Sequence, residues 1–152
     1  RLSDGAMTAH KSWRAGWVWA QDARVPNAHV LFRKDFEIGS LPASAVLHIA
    51  VESFARVYLN GAEVLKTGFL SYPGLQTYES VEIGRHLRPG VNQLAVLAWW
   101  IGIGSASSWP KDPGLLCEIE WGGDERIGSG PDWKCLVLDA WTGGARSPNH
   151  YN

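Results

Sequence analysis

Trp99, Trp100 and Trp109 bracket the segment of this chain best suited to hold a polyhydroxylated ligand. Between them runs the glycine- and serine-rich stretch from Ile101 to Ser108, and beyond Trp109 come Pro110, Lys111, Asp112 and Pro113. A sugar presents an apolar C–H face and a belt of hydroxyls, so its site needs a flat aromatic surface beside a few fixed polar groups. Here Trp100 or Trp109 can serve as that surface with Trp99 adjacent, and Lys111, Asp112, Ser105 and Ser107 can supply hydrogen bonds. A second loop, from Phe69 to Tyr78, can bring Tyr72, Gln76 and Tyr78 to the same rim. The plainer alternative is that the first loop merely joins two strands and its tryptophans close one end of the fold.

Other chemistries fare worse. Glu118 and Glu120 share one face of a strand, with Cα atoms about 6.5 to 7 Å apart, near the lower end of the roughly 6.5 to 9.5 Å that separates the carboxyls of inverting glycosidases. Leu115, Cys117, Ile119 and Trp121 occupy the opposite face, so the pair reads as the solvated side of an alternating strand. An independent sandwich glycosidase using Glu118 and Glu120 is the last choice. His10, His29, His48, His86 and His150 show no metal-ligand spacing, so no metal site is expected. The Gly102-Ile-Gly104 element lacks the third glycine and the βαβ context of a dinucleotide fingerprint. No nucleophile elbow, Cys/His signature or Walker loop is present.

Composition narrows the class further. At 152 residues, with 45% apolar and 19% charged residues, the chain suits one globular domain with its own core. A net charge of -1 without a Lys/Arg cluster argues against a nucleic-acid partner. No run of about 20 apolar residues is present to span a membrane, and the first residues lack the apolar core of a signal peptide. Because the chain begins at Arg1 and ends in a polar stretch at Asn152, it is read as part of something larger, and its compartment stays open between secreted and cytoplasmic. Cys117 and Cys135 both share parity with apolar neighbours, so both are expected in the core as free thiols, a disulfide requiring neighbouring strands.

The elements that would position these residues are strands. In the stretch from Phe54 to Leu65, alternating apolar residues run into Asn60-Gly61 and then resume, which is the pattern of a two-residue hairpin turn. Period-two or continuous apolar segments recur near 16–20, 29–38, 45–51, 55–59, 62–66, 78–83, 92–100, 114–121, 125–127 and 133–138. Gly, Pro, Asn and Asp punctuate them, no long stretch has a helical period, and one helical turn fits 83–87. Such a pattern predicts an all-β, antiparallel β-sandwich. One strand is apolar on both faces: Leu94, Val96, Ala98 and Trp100 on one side, Ala95, Leu97, Trp99 and Ile101 on the other. Its second face needs a cover, from the chain's own loops, from the remainder of a parent protein, or from a ligand.

The order of the motifs carries a resemblance. A Trp17-Val-Trp19 opening, the Arg33-Lys34 strand flanked by Phe32 and Phe36, the Tyr58-Leu-Asn60-Gly61 hairpin and a strand introduced by Pro89-Gly90-Val-Asn92 follow one another over 17–141. In this order they resemble the galactose-binding-like, jelly-roll sandwich that precedes the catalytic barrel in bacterial α-L-rhamnosidases. The resemblance implies three segments: an extension over 1–15, the sandwich over 16–141, and an extension over 142–152 toward a following domain. It implies a non-catalytic accessory role, binding carbohydrate weakly through Trp99, Trp100, Trp109, Lys111, Asp112, Tyr72 and Tyr78, or packing on the catalytic domain of the same chain as a purely structural module. It also implies a bacterial source. Related domains can use calcium, but Asp112 and Asp124 show no recognisable calcium loop, so no cofactor is expected.

Overall fold

The computed structural model describes residues 12–69, 78–102 and 113–138. Nine strands are defined there: β1 (Ala28–Ile38), β2 (Ala45–Val51), β3 (Ser53–Leu59), β4 (Ala62–Phe69), β5 (Glu79–Glu82), β6 (Gly90–Trp100), β7 (Leu115–Trp121), β8 (Glu125–Gly128) and β9 (Lys134–Leu138). They form a five-stranded sheet ordered β4-β3-β6-β1-β9 and a four-stranded sheet ordered β5-β2-β7-β8. Every strand pair is antiparallel. The all-β sandwich expected from the alternation is the observed fold, and the helical turn is a short 3-10 turn over Gly84–His86.

The core follows from parity. On β1 the even positions Val30, Phe32, Phe36 and Ile38 are buried, and on β6 so are Leu94, Val96 and Ala98. They meet Leu47 and Ile49 of β2 and Leu115, Cys117 and Ile119 of β7 in one continuous cluster. Each large aliphatic or aromatic side chain fully removed from water there contributes about 1.5 to 3 kcal/mol before ordering costs. A slip of one residue in β6 would exchange this stripe for Leu97 and Trp99, so the buried face holds the register.

Two motifs quoted above meet in space. Asn60 and Gly61 turn the β3–β4 hairpin with φ of 52° and 87°, the left-handed pair that the tight turn demands. The Asn60 amide also donates to the His86 carbonyl and to Asn92 Oδ1, both at 2.8 Å, and its Oδ1 accepts from the Gln93 amide at 2.9 Å. Asn92 is fully buried; its Oδ1 also accepts from Arg88 N at 3.0 Å, and its Nδ2 donates to the Arg88 and Gly90 carbonyls at 2.8 and 3.1 Å. The Asn of the hairpin and the Asn after Pro-Gly are thus one polar plug, with its main donors and acceptors satisfied.

Two expectations are corrected. The strand over 16–20 is reduced to one bridge, Val18 with Leu115, because the chain turns at once into a 3-10 turn over Gln21–Ala23. Cys135 is exposed, not buried. It has the inward parity, opposite Phe32, but β9 is the edge strand of its sheet and leaves it uncovered. Cys117 is buried in the other sheet, and both thiols are free.

Candidate functional site

The outer face of the five-stranded sheet carries a row of rings. His29 on β1 lies opposite Trp99 on β6, Trp99 opposite Phe54 on β3, and Phe54 opposite Gly68 on β4. The Trp99 indole stacks on His29 with centroids 5.5 Å apart and planes 7° apart, and on Phe54 at 5.0 Å and 26°. Since β1 and β3 flank β6, both indole faces are covered by protein rings and only the edge of Trp99 is left to the groove. Its Nε1 donates to Asn27 Oδ1 at 2.6 Å, which fixes the ring's tilt. At Gly68 a Cβ would fall 2.2 Å from the Phe54 ring, so the absent side chain is what lets Phe54 lie across β4. Burial lowers the pKa of His29, partly offset by its hydrogen bond with the Asn27 carbonyl.

One row along the strands, Leu31, Leu97, Arg56 and Lys66 are aligned in register across β1, β6, β3 and β4. Together the two rows wall a groove of 680 Å³ lined by His29, Phe54, Arg56, Lys66, Gly68, Leu97 and Trp99, with Ala55 and Thr67. Its floor and one wall are apolar, and its cationic groups stand at the β3–β4 side. The two-faced apolar strand foreseen in the sequence is β6, and its second face lines this groove.

The residues singled out from sequence are dispersed by the fold. Trp99 is in the groove wall. Trp100 has the opposite parity and packs half-buried against the core, so adjacent indoles diverge to opposite faces of the sheet. Tyr78 precedes β5 of the other sheet, where Trp13 meets it edge-on at 5.6 Å and His48 at 6.0 Å. Tyr72, Trp109, Lys111 and Asp112 lie outside the described residues, as do Ser105, Ser107 and Gln76. His29, Phe54, Arg56 and Lys66 were not singled out. Their signal was available in the outward parity of β1 and of the hairpin, but which strands neighbour β6 is not written in local pattern.

The outer face of the four-stranded sheet holds a second polar cluster. Glu118 is 1% exposed, which overturns its reading as a solvated carboxylate. Its Oε1 accepts from the backbone amides of Arg14 at 2.8 Å and Ala15 at 3.0 Å, and its Oε2 from Arg126 Nη1 at 3.0 Å. The N-terminal segment crosses this face and covers it. Arg126 also approaches Glu120 at 3.6 Å, so one guanidinium spans both carboxylates. Glu120 Oε2 lies 2.6 Å from His48 Nε2, and His48 Nδ1 lies 2.6 Å from Ser80 Oγ. The His48 imidazole thus bridges the Glu120 carboxylate and the Ser80 hydroxyl. This chain has the connectivity of a hydrolase triad, but Trp13 and Tyr78 stand edge-on against the imidazole and Glu120 is shared with Arg126. Its evident work is to clamp the N-terminal segment onto the sheet.

Comparisons with known proteins agree with the ordered motifs. No family model matches the chain. The α-L-rhamnosidase of Streptomyces avermitilis is 30% identical over 138 residues, covering 81% of this chain and 13% of that protein. The solved GH78 family rhamnosidase of Bacillus sp. GL1 superposes with a TM-score of 0.78 at 32% identity, covering 84% of this chain and 14% of that one. The apo lectin of Pleurotus ostreatus gives a TM-score of 0.60 at 19% identity over 82% of this chain and 35% of the lectin, a likeness of fold alone. The chain therefore resembles a part of the α-L-rhamnosidases and spans only 13 to 14% of the length of the two it matches here at 30% identity or more. That is consistent with one accessory domain of such an enzyme.

Proposed function

We propose that this sandwich is a non-catalytic accessory domain of a rhamnosidase-like glycoside hydrolase and that it binds carbohydrate in the groove walled by Trp99 and Phe54. The observation that carries the reading is the groove itself, 680 Å³ of concave surface with an apolar floor and hydrogen-bonding cations at one side. Sites for small ligands are commonly about 300 to 1,000 Å³ and combine these two features. The likeness of fold to a lectin supports it. In this reading Trp100 and Tyr78 serve the packing of their own layers, while Tyr72, Trp109, Lys111 and Asp112, outside the described residues, stay candidates for sugar contact. The arrangement of Glu118 and Glu120 around Arg126 supports a domain without hydrolytic chemistry of its own.

The test is a titration with L-rhamnose, D-galactose and rhamnose oligosaccharides, followed by tryptophan fluorescence and calorimetry. The reading requires saturable binding in the millimolar range or tighter, lost in Gly68→Val, which drives the Phe54 ring off β4. Trp109→Ala asks separately whether that loop takes part. Absence of saturable binding to every sugar overturns the reading and favours a purely structural role, docking on the catalytic domain. One observation already points that way: His29 and Phe54 occupy both faces of Trp99, leaving no indole face for a sugar to stack on.

A further inference from the structure

The groove has a charge that neither its fold nor its apolar floor requires. Arg56 and Lys66 are exposed and face each other directly across the β3–β4 pair. Like charges directly opposite in a sheet repel, and among the described residues neither has a carboxylate partner. The cations of β1, on the far side of β6, differ: Arg33 pairs with Asp35 at 3.4 Å and Lys34 with Asp132 at 2.5 Å. Among the described residues, no Asp or Glu lines the groove.

We infer that the groove selects an anionic saccharide, with Arg56 and Lys66 taking the charged group while a ring face lies against Leu97 and the edges of Trp99 and Phe54. This rests on the carbohydrate-binding reading above and specifies its substrate class. A planar guanidinium can hold a carboxylate through two parallel hydrogen bonds, and a flexible ammonium beside it adds a second charge. The bound anion would relieve the Arg56–Lys66 repulsion, so the pair contributes to binding what it costs the free domain. The charged group would be a uronate carboxylate or a sulfate ester, two sources of the same chemistry.

Calorimetry on the intact chain separates the possibilities with three probes: a rhamnose–galacturonate tetrasaccharide, the same tetrasaccharide with its carboxyls reduced to alcohols, and a sulfated rhamnose oligosaccharide. Two exposed ion pairs, each worth little in water, predict that the acid binds about tenfold more tightly than its reduced twin at low salt. That advantage should collapse at about 1 M salt, where the screening length is about 3 Å. Arg56→Gln and Lys66→Gln should each remove part of it, and Arg33→Gln none. Tighter binding of the sulfated probe, lost in the same two variants, would support the anion site and name sulfate as its source. Equal binding of acid and reduced forms would overturn the inference and leave the carbohydrate reading standing. Failure of all three probes to bind would overturn both.

Discussion

Asn92 offers the sharpest test of how this sandwich is held together. Its amide makes four hydrogen bonds, to Asn60 Nδ2, to the amide and carbonyl of Arg88 and to the Gly90 carbonyl, and the residue has no solvent exposure. In Asn92→Ala all four partners lose their counterpart, but Arg88 is exposed and water can reach part of its backbone. Counting two bonds as fully lost at about 1 to 1.5 kcal/mol each gives about 2 to 3 kcal/mol of destabilisation. With a urea m-value of about 2 kcal/mol/M for a domain of this size, the midpoint should fall by about 1 to 1.5 M. Asn92→Asp is the control for chemistry at constant shape. At neutral pH its carboxylate would turn an acceptor oxygen toward the Arg88 and Gly90 carbonyls, so it should be at least as damaging as alanine. A buried carboxyl that must donate has a folded pKa above its unfolded value near about 3.9. Its stability deficit should therefore shrink as pH falls from 7 toward 4 and widen again as pH rises. Urea melts of the three proteins at pH 7 and pH 4.5 decide the matter. A loss below about 1 kcal/mol in Asn92→Ala, or an aspartate variant without pH dependence relative to wild type, would refute the plug as described.

Three further outcomes follow from the geometry. Glu118→Ala leaves Arg126 and two backbone amides without their carboxylate and should cost about 3 kcal/mol in a urea melt, whereas Glu118→Gln keeps an acceptor for the amides and should cost roughly half as much; equal losses would mean that the charge does nothing. His29 has its pKa lowered, first by burial, against the raising effect of the Asn27 carbonyl. Its contribution to stability is thus complete above the ordinary value of 6.5 and lost as pH falls through the lower folded value. Its stacking on Trp99 should report this as a fluorescence change with a midpoint below 6.5, absent in His29→Asn. Finally, a thiol reagent should modify Cys135 in the native protein and Cys117 only on unfolding. Cys117 is buried, and burial followed by the Glu118 charge raises its pKa, so little reactive thiolate is present; rapid native modification of both would contradict its placement.

Much of this fold was legible along the chain because β-structure leaves a local trace. Alternation with period two marks which residues of β1, β2, β6 and β7 face the core, and Asn60-Gly61 marks the hairpin, since positive φ at consecutive residues is tolerated by few others. The order of the motifs along the chain likewise resembles that of the rhamnosidase sandwich. The misjudged residues share a cause. Cys135 had the right parity on an edge strand, where parity does not ensure cover. Glu118 read as solvated because the segment that buries it, at Arg14 and Ala15, is about a hundred residues away in the chain.

Local pattern therefore determined the strands, their inward faces, the tight turn and the existence of one strand apolar on both sides. Tertiary structure alone decided which strands lie beside it, and with that the stacking of His29, Trp99 and Phe54 and the opposition of Arg56 to Lys66. The physical reason is that strand pairing is a contact between segments far apart in sequence, selected by burial of the whole sheet face. A groove is a property of the neighbours that this selection brings together.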